Sequence, residues 1–178
     1  MMGDEGIKYI SKILETNTVL TMLQLEDNDI GKDGSKYLSE ALQLNSTLTA
    51  LDLSDNFIRS KFISQVLQMN FSLTELYLEG NRIGNEGIKY ISEALETNYT
   101  LTTLQLADND ITEIGSMYIS IALETNSTLT VLYLQCNQIK NEGVKYLSKS
   151  LKTNFTLTQL YLSVNFIGDE GAKYISKQ

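Results

Sequence analysis

The stretch Leu129-Thr-Val-Leu132-Tyr-Leu134-Gln-Cys-Asn137 decides the fold, because equivalent stretches recur along the whole chain. Each equivalent ends in an asparagine that follows a Leu-x-Leu step. These asparagines are Asn28, Asn56, Asn81, Asn109, Asn137 and Asn165. They are spaced by 28, 25, 28, 28 and 28 residues. A fixed period of this length predicts a solenoid of stacked units in place of a globule.

The residues after each asparagine follow a different period from those before it. The segment Ile83-Gly-Asn-Glu-Gly87-Ile-Lys-Tyr-Ile91-Ser-Glu-Ala94-Leu95 places apolar residues about every three or four positions. That spacing indicates a helix, whereas the alternating Leu-x-Leu step indicates a strand. Each unit is therefore predicted to contain a strand, a loop and a helix.

Two further motifs flank the predicted helix. Asn-x-Ile-Gly precedes it, as at 81–84, and Ala-Leu-x-x-Asn-x-Thr-Leu follows it, as at 94–101. With the 28-residue unit, these motifs resemble the ribonuclease-inhibitor-like class of leucine-rich repeats, which includes the repeat ends of NOD-like receptors and the Ran GTPase-activating protein. The resemblance implies an α/β leucine-rich-repeat solenoid that is curved, with a parallel β-sheet on the concave face and α-helices on the convex face. The inhibitor itself alternates two repeat types and often has Cys where this chain has Asn, so a ribonuclease partner is not implied.

The period predicts a single domain, 1–178, of about six units. It includes a partial unit at the N-terminus, 1–17, and a shortened second full unit at about 46–70. The shortening falls between Ile58 and Phe62, where Arg59-Ser-Lys61 replaces a Gly-x-x-Gly segment, and should trim the first turn of that helix. The last unit stops inside its helix at Ser176-Lys-Gln178 without a distinct capping segment. Since terminal solenoid units usually need a polar outer face, we expect either a longer chain or self-association through uncapped ends.

Three sets of polar residues are interpreted as structural. The asparagine that closes each strand should bond backbone groups of its own turn and of the next unit. Asn-Glu and Asp-Glu pairs at the helix starts should supply the N-caps and complement the helix dipole. Five glycosylation sequons fall at one position of the repeat, where a helix turns into a strand. They begin at Asn45, Asn70, Asn98, Asn126 and Asn154.

Composition argues against an enzyme. The chain has no His, one Cys and scattered carboxylates, so the usual catalytic bases, nucleophiles and transition-metal ligands are missing. The repeat glycines lack the Lys-Ser/Thr of a phosphate-binding loop, and Cys136 is interpreted as an inert residue at a loop edge. We therefore expect no catalysis, no cofactor and no metal.

The net charge of −8 argues against nucleic acid and anionic membranes, which both require clustered Lys and Arg. It favours a protein partner with a basic or mixed surface. The sequence has no apolar run of ~20 residues and its start lacks signal-peptide features. We therefore expect a cytoplasmic protein, located in the host cytosol if the source is an intracellular bacterium.

The candidate binding site follows from the alternation of side chains along each strand. Residues beside the inward leucines point to the open face of the sheet. The predicted site residues are Gln24, Glu26, Asp52, Glu75, Tyr77, Glu79, Gln105, Tyr133, Gln135, Gln159 and Tyr161. The first half of this set is acidic and the second half is uncharged. Because parallel strands lie about 4.8 Å apart, Tyr133 and Tyr161 should be near neighbours.

These features together predict a protein–protein interaction module that binds through its concave face. Tyrosine is a frequent interface anchor, and acidic residues steer a basic partner. Two alternatives stay open. One is an activator of a small GTPase, implied by the resemblance to the Ran activator. The other is a scaffold or effector of an intracellular bacterium, because the Ile, Asn, Lys and Tyr usage indicates an AT-rich genome.

Overall fold

The computed structural model describes residues 1–176, in which six short strands alternate with seven helices. The strands are β1 Met22–Gln24, β2 Ala50–Asp52, β3 Glu75–Tyr77, β4 Thr103–Gln105, β5 Val131–Tyr133 and β6 Gln159–Tyr161. The helices are α1 Asp4–Leu14, α2 Lys32–Leu44, α3 Ser60–Met69, α4 Gly84–Leu95, α5 Glu113–Thr125, α6 Lys140–Ser150 and α7 Asp169–Ile175. Lys177 and Gln178, within the segment where the last helix was expected to stop, lie outside the described residues.

The strands form one parallel sheet in chain order, β1 to β6. The register places the central leucine of each strand opposite the central leucine of the next, as Leu76 opposite Leu104 and Leu104 opposite Leu132. The central leucines of β2 to β5 are almost completely buried between the sheet and the helices, whereas Leu23 and Leu160 of the two edge strands are partly buried. The α/β solenoid predicted from the repeat is therefore confirmed.

The asparagine that closes each strand is a buried connector between units. Asn109, which is 1% exposed, accepts hydrogen bonds at Oδ1 from the backbone amides of Asn81 (3.0 Å) and Ile83 (3.2 Å). Its Nδ2 donates to the carbonyls of Leu78 (2.8 Å) and Ala107 (2.8 Å). The predicted hydrogen bonds to the asparagine's own turn are confirmed, but the predicted bonds to the next unit are wrong. The partners lie in the preceding unit, because the Asn side chain points back across the sheet.

The sequon asparagines are structural, as predicted. Asn126 donates through Nδ2 to the carbonyls of Leu95 (2.8 Å) and Asn98 (3.1 Å). Its Oδ1 accepts from the amides of Thr128 (3.1 Å) and Leu129 (2.8 Å). All five asparagines are between 3% and 8% exposed. A glycan on any of them would break these bonds and enter the core.

The prediction that the polar residue at a helix start caps that same helix is wrong. Asn85 lies inside the first turn of α4 and does not cap that helix. Its Oδ1 instead accepts from the amides of Thr112 (3.0 Å) and Gly115 (2.9 Å) at the start of α5. Asn141 of α6 likewise accepts from Gly168 (2.9 Å) at the start of α7. The polar residue of one helix therefore satisfies the free amides of the next.

Helices α4 and α6, which supply these acceptors, begin with a different backbone geometry. Gly84 and Lys140 adopt left-handed backbone angles, with φ of 62° and 57°. Their amides donate forward to the carbonyls of Asn109 (2.8 Å) and Asn165 (2.9 Å) in the next unit. The starts of α4 and α6 thus share one geometry, and those of α5 and α7 share another.

Helix α3 is short because of the three missing residues. It has 10 residues, against 13 in α2 and 12 in α4. It begins at Ser60, after an extended Arg59 that makes no side-chain cap. Its first turn contains no acidic residue. The predicted trimming of the first turn is confirmed.

Candidate functional site

The outward side chains of the six strands, and of the residue two positions after each strand, form a surface that we call the sheet face. The parallel register aligns six of the predicted residues in one row across neighbouring strands. In order, these are Gln24, Asp52, Tyr77, Gln105, Tyr133 and Tyr161. The row has its one carboxylate, Asp52, on the second strand and ends in two tyrosines.

Tyr133 and Tyr161 form a stacked pair at the aromatic end. Their ring centroids lie 4.4 Å apart and their planes differ by 9°. The Tyr161 hydroxyl donates to Oε1 of Gln159 (2.9 Å), and burial together with the neighbouring Tyr161 raises the pKa of Tyr133. The predicted proximity of the two rings is confirmed. The pair presents a broad aromatic surface with polar tips, which suits a protein interface.

Tyr77 is separated from the pair by Gln105 on the intervening strand. Its hydroxyl donates to Oε2 of Glu75 (2.7 Å) within the same strand. This hydrogen bond, followed by burial, raises the pKa of Tyr77 to about 12. The structure thus brings two of the three central tyrosines together and ties the third to a carboxylate.

Glu79 is the centre of the acidic part of the sheet face. Its Oε2 accepts a hydrogen bond from Nε2 of Gln105 (3.1 Å). Burial, and then the negative charges of Asp55 and Asp108, raise the pKa of Glu79. These neighbouring carboxylates concentrate negative potential here, and no basic residue of the sheet face compensates it.

Asp55 and Asp108 belong to this acidic region but were absent from the predicted site. Each immediately precedes a strand-closing asparagine and adopts a left-handed backbone, with φ of 51° and 50°. Asp tolerates this conformation better than most residues, so a structural reason is sufficient to explain its presence. The signal that identifies these residues is their shared place one residue before the asparagine.

Four of the predicted side chains add further polar groups to the sheet face. Gln24 and Glu26 are exposed on β1 and beyond it. Asp52 accepts at Oδ1 from the amide of Ser54 (3.0 Å), which fixes the turn after β2. Gln135 has a buried Oε1 without a hydrogen-bond partner among the described residues. These four side chains extend the polar rim around the tyrosines and Glu79.

Neither a metal centre nor a membrane span is found in residues 1–176. No group of three or more His, Cys, Asp or Glu side chains there is placed to hold a metal ion. No helix within that range is both long and apolar enough to cross a bilayer. Cys136 is exposed, with a left-handed φ of 54°.

Comparison with protein families now gives the classification. The family model described as Leucine Rich repeat matches six segments: 16–39, 44–61, 70–92, 97–120, 125–148 and 153–176. The chain belongs to the leucine-rich-repeat family. No curated protein sequence matches this leucine-rich-repeat chain significantly.

Solved structures with the same fold include proteins of different kinds. Leiomodin-1 actin-binding site 2 has a TM-score of 0.60 and 20% identity, and the match covers 94% of this chain and 83% of that one. The tropomodulin C-terminal domain of Caenorhabditis elegans has a TM-score of 0.61 and 13% identity, over 96% and 89%. An internalin of Listeria monocytogenes has a TM-score of 0.59 and 23% identity, over 96% and 48%. At these identities the likeness concerns the leucine-rich-repeat fold alone.

Proposed function

We propose that this chain, as a single domain of 1–178, is a non-catalytic protein-binding module whose sheet face holds the partner. The observation that carries the proposal is the stacked Tyr133–Tyr161 pair on the same sheet face as a carboxylate cluster centred on Glu79. An aromatic pair supplies contact area, and the carboxylates supply long-range attraction.

The composition of the sheet face specifies the chemistry of the partner. None of its outward strand positions carries Lys or Arg. A partner that places a basic residue near Glu79 and apolar groups against Tyr133 and Tyr161 would complement both the carboxylates and the stacked tyrosines of the sheet face. Such a partner has a basic or mixed surface, and its association should slow as salt is raised.

The structural neighbours provide a limited form of support. One of them is described as an actin-binding site, so the same fold serves protein recognition in that protein. The likeness does not transfer actin to this chain. We also propose a cytoplasmic location and membership of the ribonuclease-inhibitor-like subclass.

The test is affinity capture from a cytosolic lysate with the Tyr133→Ala/Tyr161→Ala variant. The matched control is Tyr9→Ala/Tyr146→Ala, which removes two exposed tyrosines from helices α1 and α6. Circular dichroism first establishes that both variants are folded. We expect at least one protein to be retained by the wild type and the control and lost by the sheet-face variant.

Two outcomes contradict the proposal. In one, the partner is lost equally from both variants. In the other, the sheet-face variant retains every protein that the wild type retains. Either outcome would place recognition outside the Tyr133–Tyr161 pair.

A further inference from the structure

The trimmed helix α3 leaves a recess between α2 and α4. One cavity of about 260 Å³ is lined by Arg59, Lys61, Arg82 and Glu86, among others. A second cavity of about 430 Å³ lies on the other side of the same segment and is lined by Lys32, Arg59 and Lys61, among others. The three missing residues correspond to roughly 4.5 Å of helix.

Four basic side chains are concentrated in this recess, which we call the basic notch: Lys32, Arg59, Lys61 and Arg82. They account for four of the 14 Lys and Arg residues in a chain with a net charge of −8. All four are exposed, and within the described residues none forms an ion pair. The Arg82 guanidinium lies 5.7 Å from the centroid of the Phe57 ring.

The rest of the notch adds positive potential. Helix α3 has no acid in its first turn, so nothing there offsets its dipole. The Arg59 amide donates to Oγ of Ser35 (3.1 Å), whereas the amides of Ser60 and Lys61 have no acceptor in the described part of the chain. One carboxylate, Glu86, lines the smaller cavity. Cations and free amides therefore outnumber the acid at this site.

We propose that the basic notch binds an acidic segment of a partner protein. Its cations come from three successive units, with Lys32 at the start of α2, Arg59 and Lys61 at α3, and Arg82 before α4. This spread fits several carboxylates along an extended chain better than one compact oxyanion. Clustered Arg and Lys side chains are a recurrent means of recognising acidic motifs. The notch is separate from the sheet face and does not depend on the function proposed there.

The test is fluorescence anisotropy of a labelled oligo-glutamate peptide with the full chain at low salt. The notch variant is Arg59→Gln/Lys61→Gln. The matched control is Lys89→Gln/Lys152→Gln, which removes the same charge from two exposed lysines that form no ion pair among residues 1–176. We expect the notch variant to bind about tenfold more weakly and the control to stay within about twofold of the wild type.

A second variant, Lys32→Gln/Arg82→Gln, tests the notch without changing α3. It too should weaken binding, and added salt should weaken the wild type. The proposal is overturned if oligo-glutamate shows no saturable binding, or if the control loses as much affinity as the notch variants. It is also overturned if a singly phosphorylated, otherwise neutral peptide binds more tightly than oligo-glutamate, because that result would assign a phosphate site.

Discussion

Replacing Asn109 with Ala removes a side chain that joins two neighbouring units in the centre of the solenoid. Four hydrogen bonds are lost, but their partners are affected differently. The Leu78 carbonyl still accepts from Nδ2 of Asn81 (3.1 Å), and the Ala107 carbonyl still accepts from the amide of Gly80 (3.2 Å). The cost therefore comes from the donors that Asn109 had satisfied.

Those donors are the backbone amides of Asn81 and Ile83, which have no other acceptor among the described residues. Both residues are buried, so water does not readily replace the lost bonds. A buried amide left without a partner costs about 1–3 kcal/mol. We therefore expect Asn109→Ala to lower the free energy of unfolding by about 2–6 kcal/mol.

Urea-induced unfolding followed by circular dichroism measures this loss. The control is Asn28→Ala at the equivalent position of the first strand. Asn28 is partly exposed and accepts at Oδ1 from the amide of Met2 (2.9 Å), where water can substitute. Its loss should not exceed about 1 kcal/mol. The reasoning is refuted if the two variants lose equal stability, or if Asn109→Ala costs less than about 1 kcal/mol.

Two further predictions concern ionisation on the sheet face. Because the pKa of Glu79 is raised, the contribution of this carboxyl to stability is fully present below the ordinary pKa of a glutamate and is lost as pH rises through the raised value. Glu79→Gln should therefore stabilise the protein at neutral pH by about 0.2–0.5 kcal/mol in thermal melts at low salt, and a gain that persisted below pH ~3 would contradict this. Glu75→Gln should lower the pKa of Tyr77 from about 12 towards its ordinary value of 10.0. Phenolate absorbance, with Tyr77→Phe to identify the signal, measures that pKa, and an unchanged value would refute the assigned cause.

The strands were predictable from sequence because their signal is local and repeated. Leu132 lies at the centre of β5, five residues before Asn137, as the motif requires. The helix caps were not predictable by the same reasoning. The amides that Asn85 satisfies lie 27 and 30 residues further along the chain, so a rule based on adjacent residues assigns them to the wrong helix.

The candidate site was predictable to the extent that it follows from register. The period alone places Tyr133 beside Tyr161, and the rings stack as a result. The hydrogen bond between Tyr77 and Glu75 depends on side-chain rotamers, which the sequence pattern does not specify. Asp55 was absent from the predicted site because strand alternation selected the site residues. Asp55 lies in the turn after the strand, and from there its charge raises the pKa of Glu79.

The two kinds of helix start have a consequence for how such a chain changes length. The side chains of Asn85 and Asn141 accept hydrogen bonds from amides at the starts of α5 and α7. The amides at the starts of α4 and α6 instead donate to backbone carbonyls of the following unit. Inserting or deleting one unit in this region would join two starts of the same kind and leave amides unmatched at the new border. Duplication or loss of a pair of units would preserve the alternation of the two kinds of helix start, so the smallest change of length that keeps these bonds in this half of the molecule is two repeats.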